Sequence, residues 1–113
     1  MKYAFVWLDD VRPYPFVKFD IWDAFCHCHS VDEAKQFVKI FLSEPANRAI
    51  YFDLDHDLGD YAIAGGGDAI NFVNWLVENY HDKDMNFKFH FHSMNPVGVQ
   101  NMKNAVEKYW EII

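Results

Sequence analysis

Residues 49–60, AIYFDLDHDLGD, decide the fold. The first six, AIYFDL, form an apolar run of strand length. They deliver the chain directly into an acidic cluster, in which Asp53, Asp55, Asp57 and Asp60 crowd into ten positions. Carboxylates spaced that closely repel one another. Either water solvates them as an acidic turn, or a cation draws them together.

The segments on either side have the same form. YAFVWL (3–8) reads as a buried strand ended by Asp9 and Asp10, and AFCHCH (24–29) as a second strand. Ser30 and Glu33 then make a capping box that opens a helix with Ala34, Phe37, Val38 and Phe41 on one face, stopping near Ser43 to Pro45. After the acidic cluster, Asp68 is placed to cap a helix in which Ile70, Val73, Leu76, Val77 and Tyr80 recur at helical spacing. FKFHFH (87–92) is a fourth strand. Asn95 as N-cap and Pro96 at the first position open a last helix that buries Val99, Met102, Val106, Tyr109 and Trp110. An irregular, proline-containing connection spans residues 11 to 23. Strands alternating with helices predict an α/β fold of flavodoxin-like or receiver-like type. Its expected form is a three-layer sandwich around a mostly parallel sheet of about four strands in the order 2-1-3-4.

Bulk properties agree with one folded domain over residues 1–113. Half of the residues are hydrophobic and 19% are aromatic, which supplies a core and argues against disorder. No apolar run approaches the roughly 20 residues that span a bilayer. The start, MKYAFVWLDD, lacks the pattern of a signal peptide, so a cytoplasmic location is expected. A net charge of −7 leaves no positive field for non-specific nucleic-acid binding. Cys26 and Cys28 share one strand face, poor geometry for a mutual disulfide, and suit a reducing compartment. His27 and His29 point the other way, so CHCH (26–29) does not converge on one zinc ion.

In a sheet of this order, ligands bind beyond the carboxyl ends of the strands, where the first and third lie side by side. Asp9 and Asp10 from one strand then face Asp55 and Asp57 from the other. His92, Ser93 and Asn95 join them from the fourth. Oxygen ligands of this kind suit a hard divalent ion such as Mg²⁺. His92 is a candidate acid or base, and His90, two residues back, is read as core. Arg12, on a turn stiffened by Pro13, is placed either to pair a phosphate or to bridge to Asp10. Asp53 and Asp60 only flank the cluster on this reading. Gly65 to Gly67 are read as a turn.

LDDVRP (8–13), DHDLG (55–59) and HSMNPVGVQNM (92–102), in that order, resemble the cyclic-phosphate processing receiver family, small receiver-like domains of bacteria and phages. Trp22 and the helix start SVDEA also fall where the family has them. By this resemblance Asp9 and Asp10 are the acidic pair and Asp55 matches the aspartate that accepts a phosphoryl group in receivers. The sequence departs from a receiver in showing four strands and in having His92, Ser93 and Asn95 where a lysine would follow the last strand. The resemblance implies a phosphoester-processing domain with Mg²⁺ or Mn²⁺ held by Asp9, Asp10 and Asp55. Asp55 or water would attack and His92 would move a proton, while Arg12, Asp57, Ser93 and Asn95 bind substrate. The expected ligand is a cyclic nucleotide or an RNA 2′,3′-cyclic phosphate end, in a bacterial cell or phage-infected host. A non-catalytic phosphoacceptor or a nucleotide-binding module is the alternative.

Overall fold

The structure is a computed structural model that describes residues 2–14 and 22–113. Much of the connection expected over residues 11 to 23 therefore lies outside the described residues. The elements are β1 (Tyr3–Leu8), β2 (Ala24–Cys28), α1 (Val31–Leu42), β3 (Ala49–Leu54), α2 (Asp60–Ala64), α3 (Ala69–Tyr80), β4 (Asn86–Phe91), α4 (Pro96–Val106) and β5 (Glu111–Ile112). The strands form one sheet in the order β2-β1-β3-β4-β5, and every neighbouring pair is parallel. This is the expected receiver-like α/β fold, with the predicted order 2-1-3-4 extended by one strand. That strand is two residues long, and Glu111 and Ile112 pair with Lys88 and Phe89. The spacing predicts a helix that buries Tyr109 and Trp110, but α4 ends at Val106, leaving Tyr109 exposed.

Register fixes what each face presents. Val6, Phe52 and Phe89 are partners across β1, β3 and β4, as are Leu8, Leu54 and Phe91. Together with Val38 of α1, Phe72 and Leu76 of α3, and Met102 and Val106 of α4, all but Phe91 belong to one buried cluster, and Phe91 packs against it. Each fully buried Phe there contributes about 1.5–3 kcal/mol through removal from water. Among the described residues these three helices thus share one side of the sheet, and what is described of the layer expected on the other side is not helical. It is aromatic: Phe5 sits 5.0 Å from both Tyr14 and Trp22 and 5.3 Å from Tyr51, centroid to centroid. A hollow of about 210 Å³, lined by Tyr3, Trp22, Tyr51, Lys88 and Ile113, lies toward the amino ends of these strands, away from the carboxylates. Among the described residues no helix is long and apolar enough to cross a membrane.

The caps were partly as expected. Ser30 Oγ accepts from Glu33 N at 3.1 Å, and Asn95 Oδ1 accepts from Gly98 N at 2.9 Å. Asp68 stands at the N-cap of α3 but makes no capping bond. Its Oδ1 instead accepts from Leu58 N at 3.0 Å and ties down the acidic loop. The face of α3 shifts accordingly: Ala69, Phe72, Val73 and Leu76 are buried, while Ile70, Val77 and Tyr80 are half-buried.

Candidate functional site

Asp9 follows β1, which lies between β2 and β3, and is fixed by its N–H donating to Cys28 O at 3.0 Å. It is fully buried. Its Oδ1 accepts from Val11 N (3.0 Å) and Arg12 N (2.7 Å), and its Oδ2 faces Arg12 Nε (3.0 Å) and His92 Nε2 (3.0 Å). A carboxylate offers about four acceptor positions, and all four are taken. Burial alone would push this carboxyl up. The two backbone N–H groups, His92 and the Arg12 charge outweigh it and hold Asp9 below the usual carboxylate range.

Asp55 follows β3, its N–H bonded to Leu8 O at 2.8 Å, and is also buried. Arg12 Nη2 reaches its Oδ2 at 3.3 Å, so one guanidinium bridges Asp9 and Asp55; the bridge expected to Asp10 is not the one formed. Oδ1 of Asp55 accepts no hydrogen bond among the described residues. Asp10 is half-buried and its pKa is raised, first by burial and then by the negative charges of Asp9 and Asp55. Gly59 makes room for it: at φ +56° it occupies the left-handed region, and a Cβ there would stand 2.7 Å from Asp10 Oδ2.

His92 completes the inner group. Asp9, Asp55 and His92 bring ligand atoms within 4.8 Å of one another, a set that can hold a metal ion. The ring lies flat on Trp7, with centroids 3.9 Å apart and planes 2° from parallel. Its Nδ1 faces Asp53 Oδ1 at 2.6 Å while its Nε2 faces Asp9. A carboxylate therefore stands at each nitrogen. Asp53 also receives His90 Nδ1 at 3.1 Å. Reading His90 as core was wrong. Alternation puts it opposite Phe89, on the side without helices, where its side chain is 47% exposed. Asp53 is likewise more than a flank, and the sequence held a signal for it. Asp53, Asp55 and Asp57 alternate, and His90 and His92 alternate at the same period on the neighbouring strand.

The remaining expected residues form a second, outer group. His56 Nδ1 faces Asp57 Oδ1 at 2.8 Å, and Asn95 Nδ2 donates to the same carboxylate at 3.2 and 3.3 Å. The His56 contact, more than Asn95, lowers the pKa of Asp57. His56, Asp57 and Asp68 also bring ligand atoms within 4.8 Å of one another. Ser93 Oγ accepts from Asn95 N at 3.1 Å and shapes the turn into α4. His27, set aside above as a zinc ligand and not expected at the rim, donates from Nε2 to Asp9 O at 3.0 Å. On the other face of β2, the two thiols are reduced and 3.2 Å apart.

The donor chemistry fits a hard divalent cation. Oxygen ligands dominate, and the residual repulsion felt by Asp10 is what such an ion relieves. Comparison with curated proteins and with solved structures returned no match. The family model described as the cyclic-phosphate processing Receiver domain matches residues 4–108. With that match over nearly its whole length, and with a receiver-like sheet carrying acidic groups at its rim, the chain belongs to the cyclic-phosphate processing receiver domain family.

Proposed function

We propose that this domain opens cyclic phosphodiesters, of the 2′,3′-cyclic nucleotide or RNA-end type, with the help of Mg²⁺ or Mn²⁺. The observation that carries the reading is the convergence of Asp9, Asp55 and His92 at the rim, with Arg12 across the two carboxylates. Asp9, Asp10 and Asp55 would hold the ion, Asp55 through the Oδ1 that no described group engages. Bound there, the ion would supply charge neutralisation at the phosphoryl oxygens.

The chain's own groups account for the rest. Hydrolysis forms a bond from water oxygen to phosphorus, breaks one bond from phosphorus to a ribose oxygen, and delivers a proton to that oxygen. Asp55 Oδ1 receives the proton from water, or itself attacks phosphorus to give an acyl phosphate that water then cleaves. His92, held between Asp9 and Asp53, carries the proton destined for the ribose oxygen. Arg12, half-exposed, orients the phosphate. Asp57 and Asn95 line the approach. A cytoplasmic setting, in a bacterium or a phage-infected host, fits this substrate.

The test is chromatographic hydrolysis of a 2′,3′-cyclic nucleotide by the protein, Asp55→Asn and His92→Ala. Each variant is expected to lose about a hundredfold or more in rate. Unchanged rates in both would remove the assignment. The open Oδ1 of Asp55 also favours a second reading, a phosphoacceptor without turnover. That reading predicts a stable phosphoryl adduct on Asp55 after exposure to a small phosphodonor, with no hydrolysis of the cyclic ester.

A further inference from the structure

Arg12 is the cation that the site already contains. Its Nε lies 3.0 Å from Asp9 Oδ2 and its Nη2 lies 3.3 Å from Asp55 Oδ2, so it occupies one oxygen of each carboxylate. The backbone of the same residue is anchored independently: Arg12 N donates to Asp9 Oδ1 at 2.7 Å, and Arg12 O accepts from Trp7 Nε1 at 2.8 Å. The side chain is 48% exposed. It is therefore able to leave the carboxylates without unfolding the turn that bears it.

We propose that Arg12 is a displaceable counter-ion. A divalent cation and the guanidinium compete for the oxygens of Asp9 and Asp55, and entry of the cation frees Arg12 for the phosphate of the ligand. This deepens, and rests on, the cyclic-phosphate reading above. Three arguments support it. A guanidinium at 3 Å and a divalent ion repel across the same short distance and cannot share an oxygen without cost. Asp9 has no acceptor position left for an ion while Arg12 and His92 both hold Oδ2. A freed guanidinium also presents a planar fork suited to a phosphate, which is the natural partner for it at this rim. Under this scheme the metal and the phosphate ligand reinforce each other, because each takes a partner that the other releases.

The prediction runs against the usual effect of deleting a residue from a site. Mn²⁺ affinity, measured by titration calorimetry on the purified chain, is expected to rise about tenfold or more in Arg12→Ala. Arg12→Lys, which keeps the charge, stays near the wild type. In chelator Arg12→Ala melts below the wild type, and added Mn²⁺ raises its Tm by more than it raises that of the wild type. If Arg12→Ala does not fold, Arg12→Gln takes its place and the same comparison decides. Mn²⁺ binding that is equal or weaker in the neutral variant overturns the proposal. Turnover does not enter the comparison. Tighter Mn²⁺ binding without hydrolysis sinks only the enzymatic reading, and hydrolysis with unchanged Mn²⁺ affinity sinks only the counter-ion. If neither form binds Mn²⁺, the proposal falls together with the cation in the functional reading.

Discussion

At the scale of single residues, Asp53 and Asp9 hold the two nitrogens of His92 from opposite sides while Trp7 fixes the plane of its ring. Asp53 lies within β3 and faces His92, so the effect on turnover expected of it passes through His92. In Asp53→Ala, kcat should fall by about tenfold or more with KM little changed, and Asp53→Glu should recover part of the loss. Steady-state kinetics on the cyclic ester check this; a rise in KM alone would assign Asp53 to substrate binding instead. The aspartates next to it have opposite pH signatures. Asp9 has a lowered folded pKa, so the stability it contributes is present above its unfolded value and is lost as pH falls through the folded one. Asp10 is raised, so the folded chain holds its proton longer than the unfolded chain, and stability falls as pH climbs through that window. Asp10→Asn in chelator should accordingly raise Tm at neutral pH and leave it unchanged below the unfolded carboxylate range. A drop at neutral pH in thermal melts would show that Asp10 makes a favourable contact instead.

At the scale of elements, the acidic loop and the start of α4 are fitted to each other through Gly98. This glycine is buried inside the helix, and a Cβ on it would stand 2.5 Å from His56 Cγ. Gly to Ala within a helix ordinarily gains up to about 1 kcal/mol. Here the overlap should reverse the sign, and Gly98→Ala is expected to cost roughly 1–3 kcal/mol in urea unfolding. A stabilised variant would mean that His56 is free to move aside. Much of this level was legible in advance. Ser30 with Glu33, and Asn95 with Pro96, announce their helices because side-chain caps are local chemistry. Asp68 departs from its expected role for the complementary reason. Its N-cap position is local, but the partner it takes, Leu58 N, comes from ten residues upstream. The short α2 and the two-residue β5 lack a period long enough to detect.

At the scale of the whole molecule, the alternation of strands and helices was enough to order the sheet and to bring Asp9, Asp55 and His92 to one rim. Period-two alternation alone could not say which side of the sheet the helices leave open. That side decides the fate of His90, exposed rather than core, and makes Asp53 a neighbour of His92. Nor could charge counting say that Arg12 spans Asp9 and Asp55, because that pairing needs the turn after β1 to fold back on Asp9. The proposed function requires these groups to act together on a cyclic phosphate with a divalent ion. The most direct measurement is a ³¹P NMR time course of a 2′,3′-cyclic nucleotide with the purified chain, first with Mg²⁺ or Mn²⁺ and then with chelator. The account predicts that the cyclic resonance is replaced by that of a monoester only when the metal is present, and that Asp55→Asn abolishes the change. A cyclic resonance that persists at high protein concentration with either metal, or that disappears equally in chelator, would contradict it.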